Sequence, residues 1–397
     1  MIKIKNIFKG DIGIWIIFFL WTVVSLASVY SSIGYTAVRL LKNTTPTEAL
    51  FGHLVFILIT YGIIILCSVA NYKKLKNIFD SKLSYILYAS IIILLFITFK
   101  YGDDGRWISF KLFKTFTIQT SEIAKLFIIV LMAHALVRNE NKIKEPRIFF
   151  ILIAMTLPIC IPIAISNGST GALILLTCFL MMLFGGVNRK YWLICAAIGL
   201  FAGSAFLYFC VNISEWFPEL RFDTWGLRVR RWLEPDYSAL NQENIARMAI
   251  WRGGISGSGI GSTIHARLIT QAENDFIFSI IIEEYGSIIG VAIMILYHTF
   301  FFRCIKIARA CKDQFGKYLV GGFATLIYVQ ALVNISVAVG LLPVTGQPLP
   351  FISKGGTAYI LMGVGIGVIQ SVAYNSQVDN KHTQQSQTNI TQHESNN

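Results

Sequence analysis

The chain has 397 residues, 55% of them hydrophobic and 14% charged, with a mean hydropathy of +0.61. So little charge excludes an ordinary soluble globule, and the lack of short alternating segments excludes a β-barrel. The formal net charge of +13 reads as topology-setting and headgroup-facing charge, so no nucleic-acid partner is expected.

In chain order, ten apolar spans are expected at 12–31, 51–71, 83–99, 120–137, 147–165, 169–186, 190–212, 283–302, 318–340 and 355–374. Each is near the roughly 20 residues that cross a bilayer as a helix. The expected fold is therefore an all-α polytopic membrane protein. The first span follows Lys3, Lys5 and Lys9; it is longer than a signal-peptide core and lacks an A-x-A site. Pro158 and Pro162 predict a kink in the fifth span.

Basic residues set the orientation. Nineteen fall on the termini and one set of short loops, and seven on the other set, which places both termini in the cytoplasm. Residues 1–375 then form one transmembrane domain, with a long outer loop at 212–283 between the seventh and eighth spans. The tail 376–397, rich in Asn, Gln, Ser and Thr, is expected to be disordered and cytoplasmic. The seven cysteines form no C-x-x-C pair and the six histidines no H-E-x-x-H. Neither a disulfide framework nor a zinc site is indicated.

Polar features crowd the outer side. TIQTSEIAKLF (117–127) opens the fourth span, and Glu122 and Lys125 share a helix face and can pair. An acid in a first turn complements the helix dipole, and an ionisable residue in a span is equally a functional candidate. The long loop alternates Arg221, Arg228, Arg230, Arg231, Arg247, Arg252 and Arg267 with Trp216, Trp225, Trp232 and Trp251, and holds no lysine. Arginine forks suit phosphate and tryptophan suits the headgroup zone. Two readings stand: a segment resting on the bilayer, and a site for an anionic headgroup such as a pyrophosphate.

GGISGSGIGS (253–262) has no GK[ST] and no βαβ context. Close backbone packing is expected there, not a nucleotide loop. LLPVTGQPLPFISKGG (341–356) has three prolines and three glycines, so it cannot be helical throughout. Irregular backbone at that depth lines a cavity or is buried in protein. ENDFIFSIIIEEYG (273–286) carries four carboxylates. Asp275 is expected at a helix N-terminus, as an N-cap or as an ionised general base. Glu283 and Glu284 are expected to pair inside the bundle, and Glu273 to tune the local charge.

GRWISF with IQTSEIAKL, then RWLEPD, NQ and AIWRGGISGSGIG, then ENDFIFSIIIEEYG, and finally LPVTGQPLPFISKGG stand in a familiar order and spacing. Over about residues 10–375 the chain resembles the SEDS family (shape, elongation, division and sporulation). Its first span is nearer the division branch, typified by FtsW, than the elongation branch, typified by RodA. The resemblance implies a peptidoglycan glycosyltransferase that polymerises lipid II into glycan strands at the outer face of the inner membrane, during septal wall synthesis. It implies a class B penicillin-binding protein and other division proteins as partners.

It further implies Asp275 as the catalytic aspartate, acting as the general base. Substrate-binding candidates are Arg221, Arg228, Arg230, Arg231, Arg252, Glu122, Lys125, Gln242, Thr345, Gly346, Ser353 and Lys354. A divalent cation, Mg or Mn, is a candidate at the pyrophosphate. Two positions depart from the family pattern: Asn167 in NGSTG stands where an acid is usual, and Lys354 where a tyrosine is usual.

The chemistry agrees with this reading. A lipid pyrophosphate leaves as a stable anion and needs charge stabilisation, so one base on the acceptor hydroxyl is enough. A glycosidase needs a second carboxyl as acid for its poorer leaving group. His265 is the next candidate base in the loop. The alternatives are an elongation-type polymerase, a lipid II flippase without glycosyl-transfer chemistry, and a scaffold for the penicillin-binding partner in which Asp275 is only a cap.

Overall fold

The computed structural model describes residues 8–40, 46–102, 105–110, 116–212, 222–236, 239–269 and 272–395. The first four helices are α1 (Ile12–Leu40), α2 (Pro46–Val69), the short α3 (Lys73–Asp80) and α4 (Leu83–Tyr101). A hairpin of β1 (Trp107–Phe110) and β2 (Phe116–Gln119) follows, antiparallel with Trp107 opposite Gln119. Then come α5 (Thr120–Arg138), α6 (Pro146–Ser166), α7 (Gly168–Phe184) and α8 (Arg189–Asn212). The long loop contributes α9 (Phe222–Leu233) and α10 (Gln242–Gly253). The chain finishes with α11 (Ile277–Ala310), α12 (Gln314–Ala338) and α13 (Thr357–Ser395).

Every expected span holds a helix. Among the described residues, eight helices are long and apolar enough to cross a membrane, and α7 is a shorter apolar helix of 17 residues. The chain is a multi-pass helical membrane protein. In lipid, helices associate through close packing of small residues. The α2–α13 contact shows this: a Cβ on Gly363 would stand 2.4 Å from the Thr60 methyl, and one on Gly367 2.5 Å from Cys67 Cβ. These two glycines form a GxxxG step that lets the backbones meet.

Three expectations change. The tail does not break off at 376, because α13 continues as helix to Ser395; no Gly or Pro follows Gly367 to end it. The eighth span begins at Ile277, six residues before its expected start, and is broken at Gly286, whose φ of 82° and ψ of 169° are not helical. The all-α expectation gains the short hairpin, whose β2 backbone accepts from the Thr357 hydroxyl through Thr117 O at 3.1 Å.

The break at Gly286 is stitched by the Gly/Ser loop. Glu283 O and Glu284 O accept from the N–H groups of Ser258 and Gly259, at 2.9 and 3.1 Å. In return, Ser287 N donates to Gly254 O at 3.0 Å. Backbone groups freed by a helix break must find other partners, and this loop supplies them. A Cβ at Gly257 would lie 2.3 Å from Glu284 O, and one at Gly286 2.1 Å from Ile255 O; both residues have φ near +82°. Close backbone packing, as expected from the sequence, explains Gly253, Gly257 and Gly286, while positive φ explains Gly254, Gly259 and Gly261.

Candidate functional site

The end of the bundle where α5, α7, α11 and α13 begin gathers the polar motifs. Asp275 is half-buried there, two residues before α11. The N-cap position belongs to Phe276, which makes no side-chain cap bond, so Asp275 is not the cap. Its backbone is held by its neighbours. Asn334 of α12 donates to Asp275 O at 2.9 Å, Ser353 Oγ to Asn274 O at 2.6 Å, and Lys354 N to Glu273 O at 2.9 Å.

The carboxylate faces the turn at Gly346, where a Cβ would lie 3.5 Å from Asp275 Oδ2. Gly346 has φ +65°, so any larger side chain would be strained and would crowd the acid. The turn is braced from below. Ser169 Oγ donates to Thr345 O at 2.7 Å, and Gln347 Nε2 to Thr170 Oγ1 at 2.8 Å. Asn167 caps α7, with its side chain accepting from Thr170 N. At this position, where the family usually has an acid, the amide serves the helix terminus.

The base of the same loop carries Phe351 with φ 60°, a costly conformation for a bulky residue. Aromatic packing holds it: Trp21 stacks on it with centroids 5.6 Å apart, and Tyr359 meets it edge-on at 5.4 Å. The Tyr297 hydroxyl donates to the adjoining Pro350 carbonyl. This is how a loop with three prolines is fixed in place.

Charge completes the site. Burial pushes the Asp275 carboxyl up from 3.8 to about 6; the guanidinium charges of Arg228 and Arg106 pull it down, and Glu273 pushes it up. Arg228, on α9, donates to Val344 O at 3.2 Å, and Arg106 Nε to Ser166 O at 2.9 Å. Both arginines are thus tied to the walls around the acid. Burial also raises Glu243, against the pull of Arg231, Arg247 and Arg228.

Of the candidates, Asp275, Arg228, Thr345 and Gly346 come together. Ser353 and Lys354 hold the 273–274 backbone, and the Lys354 ammonium pairs with Glu273 at 3.6 Å. Arg230 and Arg231 are exposed on α9, and Gln242 is exposed at the start of α10. Arg221 lies outside the described residues.

Two expectations are corrected. Glu122 and Lys125 stood as substrate-binding candidates; they do pair, at 2.6 Å, but buried and away from Asp275's turn. Lys125 also donates to Gln330 Oε1 at 3.2 Å, and Gln330 Nε2 to Pro348 O at 3.1 Å. Their face packs on α12 and braces the 341–356 loop.

Arg252 was expected at the pyrophosphate; instead it donates to buried Glu283 at 2.7 Å and to Ser262 O at 3.0 Å. Thr263 Oγ1, Ile264 N and His265 Nδ1 also meet Glu283, at 2.6, 3.1 and 2.8 Å. His265 thereby serves the loop. Ser31 of α1 donates to Glu284. Glu284 thus has a partner inside the bundle, whereas Glu283 is satisfied by the long loop.

Arg106 and Asn334 are the residues missed. Arg106 stands inside GRWISF, a stretch that carries the resemblance, but it reads as mere loop charge. Nothing in the sequence singles out Asn334.

The fold and this site define a class: a multi-pass helical membrane protein with an acid and two arginines gathered at one end of its bundle. Within that class the chain belongs to the family of FtsW, RodA and SpoVE, described as "Cell cycle protein", whose profile matches residues 12–378.

The chain is 30% identical to a "Probable peptidoglycan glycosyltransferase FtsW" of Geobacter metallireducens, over 71% of this chain and 74% of that one. It is 28% identical to the protein of the same name from Enterococcus hirae, over 91% of each. It is 29% identical to "Stage V sporulation protein E" of Bacillus subtilis, over 65% of this chain and 69% of that one. It is an FtsW-like member.

Two solved structures share the fold. One comes from work on "polymerization and crosslinking by a peptidoglycan synthase complex", with TM-score 0.71, 23% identity, and 92% and 98% of the two chains covered. The other is RodA of Thermus thermophilus, with TM-score 0.65, 20% identity, and 94% and 99% covered.

Proposed function

We propose that the chain is a peptidoglycan glycosyltransferase that polymerises lipid II in septal wall synthesis, with the Asp275 end of the bundle on the outer face of the plasma membrane and both termini in the cytoplasm. The names of its relatives support the activity. The observation that carries the mechanism is Asp275, raised to about 6 by burial yet flanked by Arg228 and Arg106.

A base with that value is mostly ionised at neutral pH and still binds a proton well enough to take one. Asp275 removes the proton from the acceptor sugar's 4-hydroxyl as the oxygen attacks the anomeric carbon of the donor. The bond to undecaprenyl pyrophosphate breaks, and the configuration inverts. Arg228 and Arg106 stabilise the charge that gathers on the leaving pyrophosphate.

Among the described residues, no group of three or more His, Cys, Asp or Glu is placed to hold a metal. A divalent cation would be held chiefly by the pyrophosphate oxygens and water, as is common for Mg²⁺, and would add to the charge stabilisation by Arg228 and Arg106 while Asp275 stays free as the base. The partner is a class B penicillin-binding protein that cross-links the peptides.

The test is lipid II polymerisation in detergent by the full chain with that partner. Wild type is expected to make long strands, and Asp275→Asn to lose about 10²-fold or more of the rate. Undiminished strands from the variant would remove Asp275 as base. No strands from wild type would leave a flippase or scaffold as the better reading.

A further inference from the structure

At the far end of the bundle from Asp275, α7, α11 and α12 enclose a groove of about 640 Å³. Phe301, Ile305 and Arg309 line it at four-residue steps along α11, and Lys317, Gly321 and Ala324 at steps of four and three along α12. Such steps keep one face of each helix turned to the groove. Only residues 311–313 separate the two helices, so they run antiparallel and bring Arg309 and Lys317 to the same end. From Lys317 to Ala324 the apolar wall runs about 10 Å. Phe184 of α7 closes the side, and Gly321 leaves the floor open: a Cβ there would meet only Phe184 Cδ2, at 3.9 Å.

The mouth is net positive, with Lys306, Arg309, Lys312 and Lys317 against the two carboxylates of Glu140 and Asp313. Among the described residues, neither Arg309 nor Lys317 takes part in an ion pair. Lys306 and Lys312 stand nearby and are exposed. The acids in reach are already engaged. Glu140 accepts from Gln314 Nε2 at 3.1 Å, and Asp313 caps α12 through Gly316 N at 3.1 Å.

We propose that this groove binds an anionic phospholipid, with its phosphate on Arg309 and Lys317 and an acyl chain along the apolar wall. The bilayer supplies a ligand with that combination, a negative head on an apolar chain, and basic residues at the membrane surface attract it. An apolar partner helix would fill the wall but bring nothing for the two cations. The site is independent of the glycosyltransferase reading and lies at the opposite end of α11.

The experiment is native mass spectrometry of the delipidated full chain with added phosphatidylglycerol or phosphatidylcholine. Wild type is expected to retain phosphatidylglycerol at least about five-fold better, a modest preference for two headgroup cations. Arg309→Gln with Lys317→Gln should bring that ratio near one, while Arg309→Lys with Lys317→Arg should keep it. Lys306→Gln, on the same helix end but outside the groove, should also keep it. Gly321→Leu, which places its bulk in the groove, should lower retention of both lipids.

Equal retention by wild type, or a preference that survives the double Gln variant, overturns the proposal. So does full retention by Gly321→Leu. If the variants keep their lipid preference but lose a co-purifying partner's transmembrane helix, the groove belongs to a protein and the lipid proposal fails. Melting temperatures matching wild type certify that each variant is folded.

Discussion

The side-chain NH2 of Asn334 donates to the Asp275 carbonyl, at 2.9 Å, and to the Gln347 carbonyl, at 2.7 Å. A single side chain on α12 therefore ties the backbone of the acid to the turn that faces its carboxylate. Neither bond touches the carboxylate itself. Asn334→Ala is expected to lower polymerisation about 10- to 100-fold through misplacement, while the rate still rises through a pH of about 6. A pH profile that moves with the variant would mean that Asn334 acts on the charge of Asp275 and not on its position.

The arginines should do the opposite. Asp275 must be ionised to act as a base, so the wild-type rate should climb as pH rises through about 6, the value to which burial raises it. Arg228 and Arg106 both hold that value down. Removing either, as Arg228→Gln or Arg106→Gln, should move the climb to higher pH as well as lower the plateau. Polymerisation measured from pH 5 to 9, in half-unit steps of roughly equal ionic strength, checks the sign. A shift to lower pH would contradict the placement of these charges.

Arg252 belongs to a different category despite its identical chemistry. It pairs with fully buried Glu283 and is itself 32% exposed. Arg252→Ala should cost on the order of 2–3 kcal/mol of stability, somewhat under the range for a fully buried pair. Thermal unfolding in detergent would register that as a clear drop in Tm. Activity per folded molecule should change little. A large loss of rate with Tm intact would return Arg252 to the substrate.

The stitched break gives a graded series. Gly257→Ala and Gly286→Ala push a Cβ to within 2.3 and 2.1 Å of backbone oxygens at φ near +82°. Each should destabilise by more than about 2 kcal/mol, because backbone cannot step aside cheaply. Gly254→Ala meets open space and has only its backbone, φ +51° and ψ −139°, against it, so about 2 kcal/mol of strain with no clash added is expected. Equal effects at all three positions would mean that the loop does not pack on the break.

Much of the fold was legible because lipid demands long apolar helices, and hydropathy reports them directly. Asp275 was legible as a carboxylate just ahead of an apolar helix. What the sequence could not separate was one arginine from another. Arg228, Arg230 and Arg231 lie on one short helix, and which of them turns inward depends on how α9 packs on the 340–345 turn, where Trp232 Nε1 donates to Gly340 O at 3.1 Å. Arg252 differs from them through a glutamate 31 positions away. Glu122 and Lys125 were correctly expected to share a face. Whether that face met a cavity or Gln330 is a property of α12, invisible from their own segment. The discontinuity at Gly286 was hidden for the same reason, since EEYGSII reads as ordinary apolar helix until its partner loop is in place.

That discontinuity bears on mechanics. A rigid rod of 34 residues would be about 50 Å long, and a tilt of about 5° would swing its tip by about 4 Å. A misplacement of about 1 Å at the reacting groups can already cost about 10²-fold in rate. With an unbroken α11, every change in bilayer thickness would be levered onto Asp275. The break at Gly286 interrupts that lever, and the 254–259 loop, bonded to Glu283 and Glu284 on one side of it and to Ser287 on the other, fixes the angle between the two segments beside the acid.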